Sequence, residues 1–293
     1  MEKTIITDGK YKFQIVDNIL LYDEKIYCRN IKIGGSHTDC VNISISYKDN
    51  EPVSAYIPHI MYSEDCSIEP LLDRGQGTIR MIKTLFNYIQ EKIPSIKEIN
   101  FEDKSNIECA TDIEKDKKSK LIKKGTIIYP IPLYYFSIAF NGETWYEKNF
   151  NAKQKNKDKH DRYKEKVINL LSSKEVKQKN SYIDFLRIAQ PPADIIDELE
   201  KIYNTTDTYE SFFQSMPKID RCRLVRDWIF TFMSYHLKDV FDNTDWMIEL
   251  PIETKGVGGR RGGGKKSRKY YCPKGRIIHN KTYKDLGVDL NDV

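Results

Sequence analysis

The chain has no apolar run near the about 18 residues of a membrane-spanning helix, no Cys-x-x-Cys pair and no internal repeat. With 31% charged and 39% hydrophobic residues and a mean hydropathy of −0.61, it is expected to be soluble, with a real core and no membrane partner. Six cysteines (Cys28, Cys40, Cys66, Cys109, Cys222, Cys272) are scattered and no signal-peptide pattern opens the sequence. Reduced thiols in a cytoplasmic setting are therefore expected. Histidine is sparse, at five residues. Cys272 and His279 come nearest to a ligand pair but lack two partners, so no metal is expected. The wealth of Lys, Ile, Asn and Tyr points to an AT-rich coding genome, such as that of a large DNA virus or a protist. In the viral case, a virion or viral factory becomes a further expected location. It carries no chemistry.

What is present begins with residues 67–89, read as a short apolar strand, a glycine-containing turn at Arg74-Gly75-Gln76-Gly77-Thr78, and an amphipathic helix. Ile79, Ile82, Leu85, Phe86 and Ile89 recur at helical spacing. A helix that starts at such a turn presents backbone N–H groups at its positive end, a setting for phosphate. The same pattern also serves a ligand-free tight turn. Upstream, Tyr11–Val16, Ile19–Tyr22, Ile26–Ile33, Cys40–Tyr47 and Val53–Met61 read as strands, with a hairpin turn at Lys48-Asp49-Asn50-Glu51. Downstream, Pro94 closes the helix and Ile96–Phe101 reads as another strand.

That order of elements, with Arg74-Gly75-Gln76-Gly77-Thr78-Ile79 at the strand–helix junction, resembles the GNAT superfamily of acyl-CoA-dependent N-acetyltransferases. The family's pyrophosphate loop reads Gln/Arg-x-x-Gly-x-Gly/Ala, and Ile79 stands where its last Gly or Ala is usual. A second likeness is Glu143-Thr144-Trp145-Tyr146-Glu147-Lys148-Asn149-Phe150, similar to the family's late Leu-Tyr-Glu-Lys-x-Gly-Phe, with Asn149 at the glycine. The likeness covers about residues 38–152 and departs from the family in the strand-rich N-terminal region and in an insertion at Ile107–Ile131. The resemblance implies acetyl-CoA as cofactor, with Leu72, Arg74, Gly75, Gln76, Gly77, Thr78 and Ile79 around it, and no metal. It implies Tyr146 as the acid for the departing thiolate. A base is then needed, and His59 and Glu64 are the nearest candidates. On residue type alone, Tyr146 also reads as a half-buried helix residue and His59 as a structural histidine.

After Phe150, a basic stretch from Lys153 to Lys166 reads as a solvated helix face. Residues 167–241 read as helical, punctuated by Pro191-Pro192, with the longest helix from near Ile219 to Phe241 and a closing strand at Trp246–Leu250. From 255 to 284 eleven Lys and Arg residues occur with no acid, although the whole chain is only +5. Glycines at 256–264 and Tyr270, Tyr271 and Tyr283 interleave with these charges. Phosphate contact with base stacking suits that composition, through Arg260, Arg261, Lys265, Lys266, Arg268 and Lys269. An acidic protein surface suits it as well.

The sequence thus predicts an α/β fold: a GNAT-like mixed sheet with flanking helices over 1–152, a helical extension over 153–254 and a basic Gly-rich tail over 255–293. The expected activity is transfer of an acetyl group from acetyl-CoA to an unidentified amine. The alternative is an inactive GNAT-like structural, assembly or nucleic-acid-binding protein whose tail carries the function.

Overall fold

The computed structural model describes residues 1–107, 131–189, 195–217, 221–242 and 244–252. The lysine-rich insertion around 115–124, Pro191-Pro192 and the whole basic tail, with Arg260, Arg261, Lys265, Lys266, Arg268 and Lys269, lie outside them. Two compact units divide the chain. Among the described residues the first is Met1–Glu102, Asn149–Lys153 and 245–252; the second is Asp103–Lys148 and 154–244. Among the described residues the chain therefore passes between units four times, where the sequence reading, with boundaries after 152 and after 254, has one division; the last strand returns to the first sheet.

The protein is α/β, with a large mixed sheet in its first unit. Strands β1 (Glu2–Asp8), β2 (Tyr11–Tyr22), β3 (Lys25–Gly34), β4 (Asp39–Lys48) and β5 (Glu51–Ile60) form an antiparallel meander. The turns at Asp23-Glu24 and Asp49-Asn50 carry positive φ, the handedness that matches strand twist in two-residue hairpins. Helix α1 (Gln76–Lys92) then crosses to β6 (Glu98–Glu102), which lies parallel to β5. Strand β10 (Asp245–Glu249) adds antiparallel to β6, and β9 (Lys153–Gln154) lies at the edge, giving the order β1-β2-β3-β4-β5-β6-β10-β9. The expected closing strand at Trp246–Leu250 thus lies inside the sheet. The two strands expected at 11–16 and 19–22 are one.

Alternation along β2 buries Tyr11, Phe13 and Ile15, and the next inward position is Asp17. A carboxylate in that row must find donors. Arg29 of β3 binds it with two nitrogens, at 2.8 Å and 2.5 Å, and the Tyr88 hydroxyl of α1 donates at 3.0 Å. Helix α1 buries Ile79, Met81, Ile82, Leu85, Phe86 and Ile89, and it packs on β1, β2 and β3. Phe86 also meets Phe150 edge-on at 5.8 Å.

The second unit is helical apart from a two-residue ladder between β7 (Asn106–Ile107) and β8 (Ile131–Pro132). Its helices are α2 (Leu133–Asn141), most of α3 (Trp145–Phe150), α4 (Lys157–Ser172), α5 (Lys174–Gln178), α6 (Tyr182–Ala189), α7 (Ile196–Thr205), α8 (Tyr209–Ser215) and α9 (Arg221–Phe241). An aromatic core of Phe185, Tyr203, Tyr209, Phe212, Phe213 and Trp228 holds α6 to α9 together. Buried Lys177 closes the end of α7 by donating to the carbonyls of Tyr203 (2.6 Å) and Thr206 (2.7 Å). The basic stretch from 153 is largely α4, with Lys166 paired to Asp239 at 2.8 Å. None of the described helices is long and apolar enough to cross a membrane.

Removing one partner of a buried ion pair strands the other charge. Arg29→Met is expected to destabilise the protein by about 3 kcal/mol, read as a lower urea midpoint at unchanged slope.

Candidate functional site

The only parallel pairing described in the sheet is β5 with β6, and it spans three residue pairs, Ala55↔Ile99, Tyr56↔Asn100 and Ile57↔Phe101. Beyond Ile57, β5 stays with β4 through His59 and Ile60, and the Met61 N–H reaches the Cys40 carbonyl at 2.7 Å. The strand leaves β6 while it still follows β4. Open α/β sheets receive ligands at the carboxyl ends of such strands, beside the helix that follows.

Residues 61–75 connect that strand end to α1, and they are tied down along their length. A 3-10 turn at Glu64–Cys66 is followed by a single bridge, with Ile68 N–H on Lys12 O (2.7 Å) and Lys12 N–H on Glu69 O (2.9 Å). The strand expected at 67–72 is therefore a correction: its apolar residues lead into one bridge and not a ladder. Leu72 is buried, its N–H bonded to Glu64 O at 2.8 Å and its carbonyl accepting from the Tyr62 hydroxyl at 3.1 Å. A disulfide joins Cys66 to Cys40 of β4, and no described cysteine is a free thiol. The expectation of six reduced thiols is thus corrected. The separation of 26 positions along the chain hides a proximity that the fold creates.

Gly75 is the N-cap of α1, with φ 69° and ψ −94°, a conformation that disfavours any side chain. No side chain caps the helix, and the Ile79 N–H is the first to reach a helical acceptor, the Gly75 carbonyl at 3.0 Å. The N–H groups of Gln76, Gly77 and Thr78 begin the helix without one, as first-turn donors do. Thr78 is fully buried and its hydroxyl has no hydrogen-bond partner. Gly77 has a packing reason: a Cβ there would lie 3.0 Å from the Leu72 side chain and 3.2 Å from the Tyr11 hydroxyl. Ile79, the departure from the family pattern, is buried on the apolar face of α1. Gln76 is exposed. Arg74 is exposed too and lies over the Tyr62 ring at 5.4 Å. Asp73 takes hydrogen bonds from Lys10 (2.5 Å) and Tyr11 (2.6 Å), which hold its carboxyl below the usual range.

His59 lies half-buried opposite Asn42, and burial lowers its pKa below the usual histidine value, so the imidazole is neutral at pH 7. Glu64 is exposed, and its backbone carbonyl serves Leu72. Both belong to the same unit as the turn.

Tyr146 belongs to the second unit. Thr144-Trp145-Tyr146-Glu147 is a capping box: the Thr144 hydroxyl accepts from Glu147 N–H (3.2 Å) and Glu147 Oε2 accepts from Thr144 N–H (2.8 Å). Glu147 also receives the Tyr163 hydroxyl at 2.5 Å and Lys164 Nζ at 3.0 Å. The Tyr-Glu-Lys sequence thus has a structural role in starting α3. Tyr146 is 4% exposed, with its hydroxyl 3.3 Å from Ser105 Oγ. Burial, with the Asp103 charge nearby, pushes the phenol far above its usual value.

No family model matches the chain, and no curated protein or solved structure matches it either. Among the described residues, no group of three or more His, Cys, Asp or Glu is placed to hold a metal ion.

Sequence reasoning missed Asp103 and Ser105. The Ser105 N–H donates to Asp103 Oδ1 at 3.1 Å, a local turn that Asp-x-Ser permits anywhere. Burial, with Glu147 nearby, raises the Asp103 carboxyl to about 6, although the Ser105 donors pull it down. A carboxyl pKa above its unfolded value means that the folded state holds the proton more tightly, so stability falls as pH rises from about 4 to about 6. Asp103→Asn is expected to remove that dependence and to stabilise the protein at pH 8 by about 1–2 kcal/mol relative to pH 4, discounted for partial exposure. Urea titrations at both pH values check it.

Proposed function

We propose that the chain is an acetyl-CoA-dependent N-acetyltransferase of GNAT type, acting on an amine. The observation that carries this reading is the start of α1: uncapped first-turn N–H groups and the buried, unpartnered Thr78 hydroxyl, at the carboxyl end of a parallel strand that parts from its neighbour. The donors fit a phosphate-bearing cofactor. The backbone N–H groups of Gln76, Gly77 and Thr78 would hold the pyrophosphate, with the Thr78 hydroxyl and the Arg74 guanidinium as further donors. Gly75 lets the backbone turn there, and the hydrogen bonds to Asp73 keep its charge engaged with Lys10 and Tyr11. Leu72, Gly77 and Ile79 serve by packing, which keeps the turn in place. Bound acetyl-CoA supplies a thioester carbonyl open to attack by an amine. The acceptor must shed a proton, and the neutral imidazole of His59 is able to take one. The mixed sheet, with its antiparallel arm, parallel β5–β6 pair and returning last strand, supports a GNAT-like assignment of the fold.

A second reading follows from the sequence alone. A run of eleven cationic residues without an acid favours an anionic partner, nucleic acid or an acidic protein surface, whether or not catalysis is present.

Isothermal titration with acetyl-CoA tests the first reading. Thr78→Val removes the orphan hydroxyl with little change of shape, so the variant is expected to be as stable as the parent or more so. It should bind acetyl-CoA about fivefold more weakly, the equivalent of one lost hydrogen bond. Arg74→Glu should weaken binding by about tenfold or more. No binding by folded wild-type protein would overturn the acetyltransferase reading and leave the basic tail as the functional element.

A further inference from the structure

Strand β5 carries a bulge at the point where it leaves β6. Its pairing with β4 runs Tyr56↔Ser44 and then His59↔Asn42, so Ile57 and Pro58 together stand opposite Ile43 alone. Ile57 is the last residue paired with β6, and Pro58 brings no N–H to a further ladder. Plain alternation would send His59 to the opposite face from Tyr56; the extra residue puts both on the face of Asn42 and Ser44. Asp17, Ile31 and Ile43 are cross-strand partners in sequence, and Tyr88 of α1 reaches Asp17, so the Asn42 face is the one turned away from α1. All of these residues belong to the first unit, as does the Gly75 turn.

Asn42 stands between Lys32 of β3 and His59 of β5, and its Oδ1 is buried without a hydrogen-bond partner. In the next row Ser44 Oγ is satisfied by Asn30 Oδ1 at 2.8 Å. Buried polar atoms are nearly always paired, so an orphan acceptor beside an imidazole asks for a donor from outside the chain. The cross-strand neighbours of Asn42 supply no carboxylate, and Asp39 of β4 is engaged by Lys32 Nζ at 2.6 Å. An ammonium held there would lack a counter-charge, which is costly, whereas the N–H of an uncharged amine suits a neutral carbonyl. We infer, on the acetyl-transfer reading, that the acceptor is a weakly basic amine of the α-amino class, held through an N–H on Asn42 Oδ1 and deprotonated by His59. An α-amino group has an ordinary pKa of about 8 and the lysine side chain about 10.4, so only the first is uncharged to a useful extent at pH 7. The amine nitrogen bonds to the thioester carbonyl carbon, the C–S bond breaks, and the amine proton passes to the imidazole. The imidazolium then returns a proton to the leaving thiolate, so charge balances. Burial keeps His59 neutral and a weak base, matched to such an amine and not to a lysine ammonium. His59 makes a further contact in the protein, and the step needs one of its two ring nitrogens. Asn42 acts as a positioning group, and the amine and thioester meet where the β5–β6 pairing ends.

The test uses the full-length protein and two probes: a lysine-free peptide with a free α-amino group, and the same peptide N-acetylated and carrying one lysine. Nitrogen-15 histidine labelling gives the His59 ring signals, assigned with His59→Gln. The α-amino peptide should shift them, and the lysine peptide should not. Asn42→Ala removes only an unsatisfied acceptor, so it should fold as the parent does and bind the α-amino peptide about fivefold more weakly. In transfer from acetyl-CoA, kcat/KM at pH 7 should favour the α-amino peptide by about 100-fold. Asn42→Asp supplies the missing counter-charge and should narrow that preference by about tenfold. Equal use of the two peptides, or preference for lysine, would overturn the amine class. An Asn42→Ala variant that binds the α-amino peptide as tightly as wild type removes Asn42 from the site. If the protein binds acetyl-CoA but the α-amino peptide leaves His59 unmoved, the amine site fails and the acetyltransferase reading stands. Failure to bind acetyl-CoA overturns that reading and the transfer step with it, while the peptide titration still decides whether Asn42 and His59 hold an amine.

Discussion

Helix α1 is held to the antiparallel arm by its polar residues as well as its apolar ones, and the geometry of the Gly75 turn depends on that attachment. Asp17 continues an otherwise apolar inward row on β2, and the fold answers its charge with Arg29 from the next strand and Tyr88 from the helix. One turn earlier on α1, Thr84 reaches Asp8 of β1 at 3.3 Å, and Arg80 reaches the same carboxylate at 3.4 Å. These contacts fix the helix along its length and not merely its apolar face. The start of the helix is then determined, and the connection from β5 must arrive there with a left-handed residue. Glycine at 75 is the residue that does so without strain.

The connection is stiff for its own reasons. Lys12 exchanges backbone hydrogen bonds with it, Asp73 is anchored by Lys10 and Tyr11, and Cys66 is bonded to β4. Ligand-binding turns on a rigid frame lose little conformational freedom when they bind. The second unit uses the same economy around Glu147, where one buried carboxylate caps α3 and takes up Tyr163 and Lys164 from α4. That arrangement explains why Tyr-Glu-Lys stands where it does, whatever Tyr146 contributes to chemistry.

The strands β4 and β5, their turn at Asp49-Asn50 and the helix α1 were legible because each has a period and a punctuation that local rules read directly. The stretch at 67–72 was not. Ile68, Leu71 and Leu72 resemble a strand in composition, but with Pro70 among them the segment makes one bridge and then turns. The joining of Cys40 to Cys66 depends on where β4 meets the 3-10 turn, which no spacing encodes. At the candidate site, Gly75 and Thr78 were visible as a glycine turn, whereas the lack of a partner for the Thr78 hydroxyl needs coordinates. Asp103 and Ser105 carry no motif at all, and their nearness to Tyr146 is purely tertiary. The residues of the tail were read from charge alone.

The central claim is that the start of α1 binds the phosphates of acetyl-CoA. Hydrogen exchange of the backbone amides of residues 75–79, with and without acetyl-CoA, tests it most directly. The account predicts marked slowing at Gln76, Gly77 and Thr78 and little change at the end of α1 near Lys92. Exchange at 76–78 unaltered by saturating acetyl-CoA would contradict it.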